Sequence, residues 1–156
     1  FPVTAEVFLS SHLNICSDPS FESGALGEWK LSGSSKACFV EKNKSNARTG
    51  DWTYKYWLGG AFTSILSRTF KNIPNGTYTY KIRAMGGGGE NSIQIFAEDF
   101  GGKTMQTQVV NTGWKMWKEY TVSDIKVTNN MLTVGISLDT NAGNWGNFDD
   151  VEVYKQ

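Results

Sequence analysis

Apolar and polar residues alternate strictly in several short stretches of this chain. From Thr77 to Ala84, Tyr78, Tyr80, Ile82 and Ala84 fall on one side, and Thr77, Thr79, Lys81 and Arg83 on the other. A period of two is that of an extended strand with one face in a core and the other toward water. Its start is marked by Ile73-Pro74-Asn75-Gly76, where Pro sets one φ and Gly admits a positive one, as a tight turn requires. Leu132, Val134, Ile136 and Leu138 alternate in the same way with Thr133, Gly135, Ser137 and Asp139. About ten such β-rich runs recur, separated by Gly, Asn, Asp and Ser clusters, the spacing of a sandwich or barrel. Helical period is scarce. Ala61 to Phe70 is the one arguable stretch, and its β-branched and aromatic content after Gly59-Gly60 favours a strand. Gly86 to Gly89 predicts a hairpin connection, because the Lys and Ser/Thr of a phosphate loop are missing. Residues 1–12 have no clean period and are expected to be a lead-in or linker, with the domain over 13–156.

Composition narrows the function. A length of 156 residues suits one domain, and 15 Lys and Arg against 15 Asp and Glu leave no basic field to hold a nucleic-acid backbone. Aromatics at 13% and 17 glycines fit strands and tight turns. No apolar run nears the roughly 20 residues of a membrane helix; the longest near the start, Ala5 to Leu9, is interrupted by Glu6. The chain opens on Phe1, and is expected to be a processed piece of something longer. Cys16 and Cys38 could form one disulfide of an exported protein or stay reduced, and their spacing matches no metal motif. The single histidine, His12, has no second His or reactive Cys with which to build a nucleophile and base pair.

The acids at the two ends of the domain stand out. In the last strand, Asn147 to Tyr154, alternation places Asp149 with Val151 and Val153, and Asp150 and Glu152 with Phe148 and Tyr154. A carboxylate turned toward a core needs partners or a proton. Glu22, beside the apolar Phe21, is a second such acid. A hard cation held by both is one solution; hydrogen bonds to turn amides are the other.

Several segments, taken in order, carry a resemblance. Pro19-Ser20-Phe21-Glu22-Ser23-Gly24 with Gly27-Glu28-Trp29, then Thr49-Gly50-Asp51, Pro74-Asn75-Gly76-Thr77-Tyr78-Thr79, Asp99-Phe100-Gly101-Gly102 and Phe148-Asp149-Asp150-Val151 resemble the galactose-binding-like jelly rolls among carbohydrate-binding modules. The chain looks most similar to the β-1,4-galactan-binding family, family 61, over about residues 13–155. The resemblance implies an all-β antiparallel sandwich, a jelly roll. It further implies a structural Ca2+ held by main-chain oxygens of Ser20 and Gly50 and the carboxylates of Glu22 and Asp149. The expected function is non-catalytic binding of β-1,4-galactan or a related galactose-containing polysaccharide. Such a module would be a secreted or surface monomer, covalently attached to a glycoside hydrolase that it targets.

Sugars stack their C–H faces on aromatic rings, and their hydroxyls need fixed polar partners. Between Asp51 and Leu58, Trp52, Tyr54, Tyr56 and Leu58 share one face while Thr53, Lys55 and Trp57 share the other, which leaves Trp57 among polar neighbours, on ligand or beneath a loop. Trp145 lies among Asn and Gly in Asn141 to Asn147, on ligand or folded back over the sandwich end. Trp29, Trp114 and Trp117 are expected to be structural. Asp99 and Arg48 are the expected hydroxyl clamps, with Asn144 and Asn147 in reserve, and Asp99 has the alternative role of turn cap. The competing functions are a jelly-roll hydrolase or lyase and a protein-binding adhesion sandwich. Hydrolysis needs two carboxylates roughly 5–10 Å apart across a cleft, and strict alternation would turn Asp149 and Asp150 to opposite faces.

Overall fold

The computed structural model describes residues 7–156. Six residues of the expected lead-in, 1–6, and with them the start of the Ala5 to Leu9 run, lie outside the described residues. Ten strands follow the alternating segments: β1 (Lys30–Ser32), β2 (Cys38–Lys42), β3 (Trp52–Trp57), β4 (Phe62–Lys71), β5 (Gly76–Gly86), β6 (Ser92–Glu98), β7 (Met105–Gln108), β8 (Lys118–Val127), β9 (Met131–Thr140) and β10 (Trp145–Lys155). Among the described residues there is no helix. The stretch from Ala61 to Phe70 is strand β4, as its β-branched content requires.

The strands form two five-stranded sheets, in the orders β1-β4-β9-β6-β7 and β2-β3-β10-β5-β8. All pairings are antiparallel, and the all-β sandwich of jelly-roll type is the one the sequence predicts. The inner face of each sheet is the apolar set of the alternation. Tyr54, Tyr56, Tyr80, Ile82 and Phe148 on one sheet meet Leu66, Ile95, Leu132, Val134 and Ile136 on the other, and each such side chain contributes about 1.5–3 kcal/mol by leaving water. Cys16 and Cys38 are separate buried thiols. Burial pushes the Cys16 thiol up to about 11, against the opposing pull of the Arg68 guanidinium.

Two local expectations fail. Gly86 to Gly89 does not close a hairpin, because β5 and β6 belong to different sheets and the segment crosses between them. Strict alternation also breaks in β10, where the pairing with β5 slips between Asp149 and Glu152. Asp150 takes a positive φ of 54°, the extra residue of a β-bulge. Phe148, Val151 and Val153 therefore all enter the core, while Asp149 and Asp150 both come under residues 48–49.

Residues 7–12 lie across the outer face of the second sheet. Phe8 sits under the Arg83 guanidinium at 5.2 Å, the Ser10 hydroxyl donates to Glu152 Oε1 at 2.5 Å, and the His12 ring stacks on Tyr154 at 3.8 Å.

Candidate functional site

A cleft of about 440 Å³ opens on the outer face of the second sheet, lined by Asn46, Lys55, Trp57, Trp114 and Trp145. That lies within the roughly 300–1,000 Å³ usual for small-molecule sites. Three of the six tryptophans converge here from three parts of the chain. Trp57 ends β3 and Trp145 begins β10, and the two are direct cross-strand partners, so the pleat sends both rings to the same face. Two pairs further along, on the same face, Lys55 faces Asn147. The Lys55 ammonium leans 3.4 Å from Glu41 Oε1. Asn147 is 0% exposed, and neither atom of its amide has a partner among the described residues.

The Trp145 ring lies against the backbone of the β5–β6 crossover. A Cβ on Gly87 would run into its indole nitrogen and meet ring carbons at 3.0 Å, so the glycine run makes room for a flat ring. Trp57 is 49% exposed and Trp114 55% exposed. The expectation that Trp114 is structural is therefore corrected: it stands half in solvent on the loop before β8, and its indole N–H donates to Asn46 Oδ1 at 2.9 Å. Trp29 is buried in the core.

The remaining predicted contacts are scattered. Asp99 follows the end of β6, whereas the cleft lies at the end where β6 begins. Its φ is 60°, its carboxylate accepts from the Thr133 hydroxyl at 2.9 Å and its carbonyl from Asn129 Nδ2 at 2.9 Å; these are the bonds of a turn residue. The Arg48 guanidinium reaches Asp150 Oδ2 at 2.7 Å and does not line the cleft. Asn144 closes its own loop, accepting from Asn141 N at 2.7 Å and donating to the Gly88 carbonyl at 3.2 Å. The structure thus brings Trp57 and Trp145 together, places Asn147 two strand pairs away, buried and outside the cleft lining, and leaves Asp99, Arg48 and Asn144 elsewhere. Lys55 was legible as sharing a face with Trp57; nothing in the local sequence marks Asn46, which joins through a loop.

Of the residues expected to hold Ca2+, Ser20, Glu22 and Gly50 line one pocket with Thr49, and Asp149 reaches the same loop from β10. Glu22 accepts from Asp51 N at 2.7 Å and Trp52 N at 2.9 Å. Gly50 has a φ of 66°, and a Cβ there would run into the Glu22 carboxylate. Asp149 accepts from Arg48 N at 2.9 Å, Thr49 N at 3.4 Å and Asp150 N at 2.9 Å. Beside it Asp150 takes the Ser20 hydroxyl at 2.7 Å, the Thr49 hydroxyl at 2.5 Å and Arg48. Both aspartates are fully buried, and burial, then the neighbouring Asp150, pushes the Asp149 carboxyl well above the carboxylate range. Among the described residues no three His, Cys, Asp or Glu converge on one point. The expected donors are all oxygens, a chemistry that fits a hard cation, and both carboxylates accept hydrogen bonds from main-chain amides.

No family model matches the chain. A 1,6-α-glucosyltransferase of Sporosarcina globispora is 30% identical over 111 residues, which are 69% of this chain and only 8% of that protein. The chain that carries the CBM22-1 and GH10 modules of the endo-1,4-β-D-xylanase 10B of Clostridium thermocellum, solved with xylohexaose, shares the fold over 28% of its length and 88% of this chain, with a TM-score of 0.59 at 16% identity. The structure of TmCBM61 in complex with β-1,4-galactotriose matches with a TM-score of 0.86 at 32% identity, over 92% of this chain and 99% of that one. With that identity sustained along the whole of TmCBM61, the chain belongs to carbohydrate-binding module family 61.

Proposed function

We propose that this domain is a non-catalytic module that binds β-1,4-galactan or a related galactose-containing polysaccharide in the cleft between Trp57 and Trp145. The observation that carries the reading is the cross-strand pairing of these two indoles on one open face. Flat apolar rings match the C–H face of a pyranose, and TmCBM61 holds galactotriose. Galactose differs from glucose by one axial hydroxyl, so discrimination needs a polar group at that position. Lys55, which lines the cleft, offers one, with the buried Asn147 across the strand pair from it.

The domain proposes no reaction of its own. Asp149 and Asp150 are buried and bonded to amides, hydroxyls and Arg48, which leaves them no open cleft in which to act as an acid and base pair. The gain is in effective concentration: a module on the polymer makes each encounter of an attached enzyme intramolecular. Covalent attachment to a secreted glycoside hydrolase is part of the proposal, with the module itself monomeric; the xylanase likewise carries its CBM22-1 module on one chain with a GH10 module. A structural Ca2+ held by Ser20, Glu22, Gly50 and Asp149 would neutralise carboxylates that Arg48 alone does not balance.

Titration calorimetry with galactotriose, run beside a reducing-end assay, tests the reading. Binding without product is expected. Trp57→Ala and Trp145→Ala should each weaken binding by about 1–3 kcal/mol, the scale of aromatic stacking platforms. Wild-type affinity in both variants, or release of new reducing ends, would overturn it.

A further inference from the structure

The third tryptophan of the cleft is held in place by two independent contacts. Its N–H is bonded to Asn46 Oδ1 at 2.9 Å across 68 residues of sequence, and Lys115 Nζ lies 4.5 Å from its ring centroid. An indole that is 55% exposed and bears no such restraints samples several rotamers, and a ligand must then order it. Here one face is taken by the ammonium, a cation–π contact, and the ring also lines the cleft.

Asn46 is itself rigidly placed. Asn46 N and Ala47 N both donate to the Asn43 carbonyl, at 3.0 and 2.9 Å, and Asn43 Oδ1 accepts from Ser45 N at 3.1 Å. On the other side, Lys115 N is bonded to Met85 Sδ at 3.1 Å, which fastens the Trp114 loop to the sheet beside Asn147, the cross-strand partner of Met85. The β2–β3 loop and the loop before β8 thus meet through one bond. The indole N–H takes one of the two lone pairs of the Asn46 side-chain carbonyl.

We infer that Trp114 is a third sugar-stacking wall of the cleft and that Asn46 is the positioning residue that sets its ring. The inference rests on the cleft being the sugar site, and it adds a preorganised ring to the cross-strand pair. Its consequence is a dependence of affinity on Asn46 that runs through Trp114 and not through the ligand.

The test is calorimetry with galactotriose on single and double variants of the whole domain, with Trp57→Ala as the reference. Trp114→Ala is expected to weaken binding about tenfold, the lower end of the stacking range. Asn46→Ala should weaken it several-fold, Asn46→Asp, which keeps an acceptor for the N–H, should restore it to within about twofold, and Asn46→Ala should cost nothing further in the Trp114→Ala background. Trp114→Phe keeps a ring and lacks the N–H; it should match the loss of Asn46→Ala and be insensitive to that change. Wild-type affinity in Trp114→Ala, with Trp57→Ala impaired, overturns the third wall and leaves the sugar site standing. An equal loss from Asn46→Ala in both backgrounds overturns the positioning role, since Asn46 would then touch the sugar. If neither Trp57→Ala nor Trp114→Ala loses affinity, the cleft itself is misassigned.

Discussion

Gly87 shows how a residue without a side chain can serve a binding site. Its place in the crossover lets the Trp145 indole lie on bare backbone, and any Cβ would press on the five-membered ring of that indole. The ring can yield, so Gly87→Ala is expected to leave the melting temperature almost unchanged while shifting Trp145 and weakening galactotriose binding. A loss of up to about 1–3 kcal/mol is the range set by the platform itself, and calorimetry beside thermal unfolding separates the two effects. An unaltered affinity would mean that the orientation of Trp145 does not matter. The same logic explains why tryptophans of one composition have different fates: Trp29 sits in the core under the Arg68 guanidinium at 6.0 Å, and Trp114 stands in solvent only because its loop carries it past the sheet.

Within the elements, glycine and bulge positions carry the strain of packing. On the first sheet Gly135 of β9 lies under Phe96 of β6, and a Cβ there would strike both the Phe96 ring and the Leu66 carbonyl. Because one of the obstacles is backbone, Gly135→Ala is expected to destabilise the domain by about 1–3 kcal/mol, as overpacking does, and chemical denaturation reads this directly. On the second sheet the outer face of β10 is tied to residues 7–12 through Glu152, which accepts from Ser10 and from Arg83 Nη1 at 2.8 Å. Burial alone would raise the Glu152 pKa, but the Ser10 and Arg83 hydrogen bonds and the Arg83 charge outweigh it, and the net shift is downward. An acid whose folded pKa is lowered contributes stability that is present above its unfolded pKa and is lost as pH falls through the folded one. Glu152→Gln should therefore flatten the loss of stability that the domain shows on acidification below the ordinary glutamate range. Parallel curves for the two proteins would show that Glu152 carries none of it.

At the scale of the whole molecule, residues 43–51 connect the two candidate sites. One end of this loop presents Asn46 to the cleft, and the other caps Asp149 and Glu22 with its amides. These acids come from opposite ends of the domain, so an ion between them would join the first and last segments of the fold. Binding to the native state alone stabilises by about 2.7 kcal/mol at a hundredfold excess over Kd, which for a domain of this size corresponds to roughly 5–10 °C. Chelator is expected to lower the melting temperature by that order, and Asp149→Asn or Glu22→Gln should abolish the response to added calcium. A melt indifferent to calcium in the wild-type domain would remove the metal from the account.

The linear order of apolar and polar residues was enough to determine the strands, their inner faces and the sandwich, because a period of two admits one buried face and the core needs it filled. The same alternation separated Trp57 from the core-facing Tyr54 and Tyr56, and the motifs at the two ends identified the acids. What alternation cannot see is any departure from it. The bulge at Asp150 added one residue to β10, put both aspartates under one loop and sent Val151 inward. Nor can it see which loops meet over a sheet. Trp114 and Asn46 are far apart in the chain and are joined by a single bond, while Asp99, persuasive beside two glycines, lies at the other end of the sandwich. Strand identity follows from each segment's own pattern, whereas the assembly of a site depends on which loops meet, and only the packing of the two sheets decides that.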